Sequence, residues 1–132
     1  MNPFRDKSVV DWIDDLGVTL EYTNDLPSYR LGAYLDDERR ILVRMGLTHV
    51  LEQETLHHEY AHALYRDRSC HPATEWRAWR EAARLIVDPV AYARAERLSL
   101  DSGYIAHELG TTKRVIDVYR QGLLRGEIRL AA

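Results

Sequence analysis

Two histidines and a glutamate carry the clearest chemistry in this 132-residue chain. They form the run His58-Glu59-Tyr60-Ala61-His62, an HExxH pattern. On an α-helix His58 and His62 stand one turn apart, about 400° round the axis and so offset by about 40°. Both imidazoles can then reach one metal ion. Glu59 lies beside them, placed to handle a metal-activated water without being a ligand. At this composition chance produces the pattern in about 2% of sequences.

A catalytic zinc site ordinarily has three protein ligands and one open position, so a third donor must come from elsewhere. Cys70, His71, Glu75 and Glu81 are the nearby candidates. Glu75 falls near the start of the next predicted helix, which a loop of six or seven residues lets fold back on the HExxH helix. Glu81 is six residues further on, about 600° round that helix, and points to a different face. Only one of the two can be the ligand. Two histidine ligands and a carboxylate suit zinc best among the common metals. Tyr60, Tyr65 and His71 are candidate donors to a developing oxyanion. His57 points about 100° away from His58 and reads as a surface or supporting histidine. His49, about 180° round from His58, reads as a surface residue. Trp76 and Trp79, three residues apart, read as core.

The elements that must position these groups are legible in outline. Ser8 can cap a short helix over Val9–Leu16 that stops at Gly17. Val18–Tyr22, Tyr29–Leu35 and Arg40–Arg44 read as strands of a small antiparallel sheet, joined by the turn chemistry of Asn24–Ser28 and Asp36–Glu38. Everything after Gly46 reads as helix. Thr48 caps a segment to about Tyr65 that carries the HExxH run, and Ala73–Val87 follows. Pro89 starts a helix to about Leu98, and two short helices over Ser102–Leu109 and Thr112–Leu124 meet at Gly110-Thr111. The predicted class is α+β, in a single domain over 1–132 with a helix-turn-helix-like subregion at 99–124.

The stretch resembles the ImmA/IrrE-type metallopeptidases, many of them phage or mobile-element proteins. The likeness rests on HExxH followed by Ala63-Leu64, on Glu75-Trp76-Arg77-Ala78 as a downstream Glu-x-x-Ala helix, and on its continuation Ala82-Ala83-Arg84-Leu85-Ile86 to Asp88-Pro89. It spans about Val18 to Gln121. The resemblance implies a zincin-like core in which His58, His62 and Glu75 hold Zn²⁺, with Glu75 favoured over Glu81. It implies Glu59 as general base and a protein substrate, such as a phage or element transcriptional repressor. The chain departs from the family in a shorter spacing from His62 to Glu75 and in Glu81 where Phe is frequent.

Composition narrows the setting. The chain is 45% hydrophobic and 30% charged, as expected of a globular protein. It has no apolar run of the roughly 18–20 residues a membrane-spanning helix needs. Residues Met1–Lys7 show no apolar signal segment, and the 1 cysteine excludes an internal disulfide. A cytoplasmic location without membrane contact is the expectation. Net charge is −3, acidic in residues 1–76 and mildly basic in 77–132. In a DNA reader Thr112, Lys113, Arg114 and Asp117 would face the groove and its phosphates. The weak basic excess of this segment favours a structural or docking role over DNA binding. The alternative to a peptidase is a zinc-containing regulatory or DNA/protein-binding factor with little proteolytic activity.

Overall fold

The computed structural model describes residues 7–130. The amino-terminal stretch read above for a signal segment lies, but for Lys7, outside them. Six helices and three strands follow in the order α1 (Val9–Asp15), β1 (Thr19–Thr23), β2 (Gly32–Leu35), β3 (Arg40–Arg44), α2 (His49–Tyr65), α3 (Pro72–Ile86), α4 (Pro89–Leu98), α5 (Ser102–Leu109) and α6 (Lys113–Leu124). The class is α+β. No helix among the described residues is long and apolar enough to cross a membrane.

The sheet is mixed, which corrects the antiparallel expectation. Its order is β1-β3-β2. β2 pairs antiparallel with β3, whereas β1 pairs parallel with β3, from Thr19 opposite Arg40 to Thr23 opposite Arg44. Chain proximity made β1 and β2 look like neighbours. The connection through Asn24–Leu31 is instead long enough to step past one strand width, about 4.8 Å, and leave room for β3 between them. β2 is therefore an edge strand.

Caps set the helix starts. Thr48, Asp88, Asp101 and Thr112 each accept a backbone N–H of the first turn through the side chain, satisfying a donor that no helical carbonyl can reach. Pro72 and Pro89 stand in the first turns of α3 and α4, where a missing N–H costs nothing. Gly110 closes α5 in the left-handed conformation at φ 69° and turns the chain into α6.

Two apolar clusters flank the middle of the molecule. One joins α1, the sheet and α2 through Val9, Ile13, Ile41, Val43, Leu56 and Ala63. The other joins α3 to α6 through Ala83, Tyr92, Ile105, Val115, Ile116 and Tyr119. α2 and α3 pack together between them. Small buried residues on both helices, Ala61, Ala78 and Ala82, leave room for a close approach. α2 is buried on more than one face, and much of what it buries is polar, including Glu54, Thr55, His57, Glu59 and His62. Burying that many polar groups is costly unless they are partnered, so their partners are the place to look for function.

A carboxylate network pins the β2–β3 turn to the end of α2. Asp36 is buried and accepts from the Tyr34 hydroxyl and from the guanidinium groups of Arg66 and Arg68 at 3.0 and 2.9 Å. The Tyr34 hydrogen bond, joined by the two arginines, holds its pKa down at about 2. The folded value lies below the unfolded one, so the stabilisation is complete above about pH 4 and is lost as pH falls towards 2. Asp36→Asn should lower the thermal midpoint near neutrality and flatten its dependence on pH across that window. An unchanged slope between about pH 4 and 2 would remove this network from acid unfolding.

Candidate metal centre

The end of α2 builds one half of the site. Arg66 takes the left-handed conformation at φ 54° and the chain turns back on itself. The Asp67 N–H then donates to the His62 carbonyl at 2.9 Å. The Asp67 carboxylate lies 2.9 Å from His62 Nδ1, and Arg77 of α3 pairs with its other oxygen. Arg77 is itself seated over the Tyr65 ring at 4.2 Å. A carboxylate on Nδ1 places the imidazole proton there and leaves the Nε2 lone pair free.

That Nε2 faces Glu75. Glu75 Oε1 is 3.0 Å from His62 Nε2, and Glu75 Oε2 is 3.2 Å from His58 Nε2. One carboxylate from the first turn of α3 thus spans both imidazoles of α2. Burial disfavours a charge on His58, but the Glu59 and Glu75 carboxylates outweigh it and raise its pKa to about 9. Glu75 in turn is held below the usual carboxylate range by its hydrogen bond to His58. One donor atom each from His58, Glu59 and His62 lies within 4.8 Å of the others. That group could hold a metal ion, Glu75 lies against both imidazoles, and two histidine nitrogens with a carboxylate are a donor set that zinc favours.

Glu59 is buried, with Oε2 3.4 Å from His58 Nδ1. Gly32, at the start of β2, packs directly against it. A Cβ at Gly32 would stand 2.6 Å from Thr55 Cγ2 and 3.1 Å from Glu59 Cγ. Only glycine lets the edge strand come this close to α2. A glycine at a strand end is a recognised sign of close approach, and it could have been read from the sequence.

The site opens into a cleft of about 1070 Å³, walled by β2 and its flanking loops on one side and by α2, Trp79 and Arg114 on the other. Glu81 is not part of it and pairs with Arg84 on its own helix. Cys70 lies exposed on the rim, its Sγ 3.5 Å from the Arg30 guanidinium. His71 is exposed and caps α3 by accepting the Ala73 N–H. None of the three expected oxyanion donors lines the cleft. Tyr60 packs on Trp12, Tyr65 lies under Arg77, and His71 is spent as a cap.

Two further readings change. His57 is neither a surface residue nor a support for the candidate site. It is buried edge-on against Trp12, with Nδ1 2.6 Å from the Gln53 carbonyl. Trp79 is not core. Its indole stacks on His58 at 4.1 Å and lines the cleft. Trp76 is half-buried and donates to Glu127. His49 is exposed, as expected.

Of the residues read as DNA-facing, Thr112 is engaged within the fold, while Lys113, Arg114 and Asp117 are exposed. Thr112 donates to the buried Glu54 carboxylate at 2.7 Å. Lys113 pairs with Asp117 at 2.9 Å, and Arg114 lies over the Trp79 ring at 5.0 Å. The amino-terminal end of α6 is thereby turned onto α2.

Loss of the carboxylate behind a histidine ligand usually costs about 10–100-fold in metal affinity. Asp67→Asn should show a loss of that size in competition with a chromogenic chelator. Unchanged affinity would mean that Asp67 serves only to close α2. In comparisons with known proteins, no family model, curated protein or solved structure matches the chain.

Proposed function

We propose that this chain is a zinc-dependent metallopeptidase of the ImmA/IrrE type, working in the cytoplasm on a protein substrate. The substrate class suggested by the resemblance is a transcriptional repressor of a phage or mobile element. The observation that carries the reading is the Glu75 carboxylate within hydrogen-bond distance of Nε2 on both histidines of the HExxH run. In this reading α2 and α3 form a zincin-like core, and α5 and α6 complete it as a helix-turn-helix-like pair.

His58, His62 and Glu75 would hold the ion, and bound zinc supplies Lewis-acid chemistry that polarises a carbonyl and lowers the pKa of water towards about 7. Glu59 takes the proton of the attacking water and delivers it to the leaving nitrogen. Its burial keeps bulk water from competing for that proton. Asp67 keeps the His62 ring in one tautomer and one orientation. The outer edge of β2 pairs with no strand of the sheet and borders the cleft. It offers backbone donors and acceptors to an extended peptide. Thr112 is bound to Glu54 of α2 and Arg114 borders the cleft, which favours the peptidase over a DNA reader.

The test is the metal content of protein purified without added metal. About one zinc per chain is expected from a three-ligand site. No zinc after reconstitution would overturn the reading.

A further inference from the structure

We propose that Arg114 is a specificity-determining residue that binds a carboxylate of the substrate on the flank of the scissile bond. The inference rests on the peptidase reading and deepens it.

Arg114 belongs to α6, yet it borders the same cleft as His58, Glu59, His62 and Glu75. Its guanidinium lies over Trp79 at 5.0 Å, and Trp79 stacks on His58 at 4.1 Å with 14° between the rings. One indole thus separates the cation from a histidine of the site. That offset suits a neighbouring substrate residue rather than the reacting carbonyl.

The other cleft cations are engaged. Arg68 pairs with Asp36 and Asp37 at 2.9 and 3.1 Å. Arg30 donates to Cys70 Sγ at 3.5 Å. Arg114 is exposed, and among the described residues its contact is with the face of Trp79 rather than with a carboxylate. The carboxylates on the elements around it are committed elsewhere: Glu54 to Thr112, Asp117 to Lys113, and Glu75 to the two imidazoles. A guanidinium resting on an aromatic face is held in place without spending its in-plane N–H donors. Those donors match a carboxylate in bidentate geometry. A carboxylate entering the cleft therefore meets a positioned cation whose N–H donors face solvent. An acidic side chain and a free chain end offer the same group.

Three zinc-chelating hydroxamates separate these sources. Each caps a dipeptide: Ala-Ala amide, Asp-Ala amide, or Ala-Ala with a free carboxyl end. Binding to the zinc-loaded full chain is followed by calorimetry, for wild type, Arg114→Met and Arg114→Lys. Wild type should bind one acidic ligand about tenfold tighter than the neutral one, as a charge-assisted pair predicts. Which acidic ligand gains identifies the source. Arg114→Met should erase that preference while leaving zinc content and neutral-ligand affinity unchanged. Arg114→Lys should keep only part of it, since the planar fork is lost. Equal binding of all three ligands by wild type, or a preference that survives in Arg114→Met, overturns the inference and leaves the peptidase reading standing. A wild type that holds no zinc and binds none of the ligands overturns both.

Discussion

Glu59→Gln should keep its zinc and lose its hydrolysis. The side chain is isosteric, and the proposed ligands are His58, His62 and Glu75, so metal content should stay at the wild-type level. What disappears is a proton acceptor. Positioned general bases contribute about 10²- to 10⁴-fold, so cleavage of a peptide library by the zinc-loaded variant should fall by at least two orders of magnitude. The comparison is clean because Glu59 is buried beside Gly32, and the nearby Glu54, Asp67 and Glu75 carboxylates are held by Thr112, by His62 and Arg77, and by the two imidazoles. Cleavage at the wild-type rate would show that Glu59 is not the base and would redirect attention to other groups of the cleft.

Glu75→Ala should fail to retain zinc, and Glu81→Ala should retain it. The two glutamates lie on one helix six residues apart, so the pair isolates direction rather than charge. Glu75 reaches both Nε2 atoms, while Glu81 is bound to Arg84. Removing a whole ligand should cost more than the roughly 10–100-fold expected for the Asp67 support, and chelator competition can rank the two losses. Glu75 is only partly buried, and its helix is capped independently by His71, so the variant should fold and the loss be read as metal affinity. Full zinc occupancy in Glu75→Ala at wild-type affinity would exclude it as a ligand.

The parts of the molecule that were legible in the sequence are those coded locally. Ser8, Thr48, Pro89 and Thr112 announced where four of the helices begin, and the HExxH spacing placed two imidazoles on one turn whatever the tertiary setting. A short loop and helix geometry allowed a carboxylate of α3 to reach the imidazoles, and the family resemblance favoured Glu75 over Glu81. The rest depends on contacts the local chain does not encode. Strand order in a three-stranded sheet is a choice between neighbours, and a connection of moderate length permits either. Asp67 reaches His62 because Arg66 adopts a conformation usually left to glycine or asparagine, so no residue type marked the turn. Trp79 stands one turn after Glu75 on the same face of α3, and a tryptophan there looks the same in sequence whether it fills a core or walls a cleft. His57 illustrates the converse: it lies next to the motif in sequence and takes no part in the site.

The open edge of β2 also bears on self-association. A strand edge that can receive a substrate backbone can also receive a second copy of the chain, and exposed edges are the usual starting points of aggregation. Here the edge is four residues long, Gly32–Leu35, and is followed at once by Asp36, Asp37 and Glu38. It lies along a cleft wall rather than on a convex face. A short strand ending in acidic residues is a poor template for sheet extension. Shortness and charge thus keep an edge that is useful for binding from becoming a route to fibrils, and neutralising the Asp36–Glu38 turn would remove that protection together with the anchor of the turn itself.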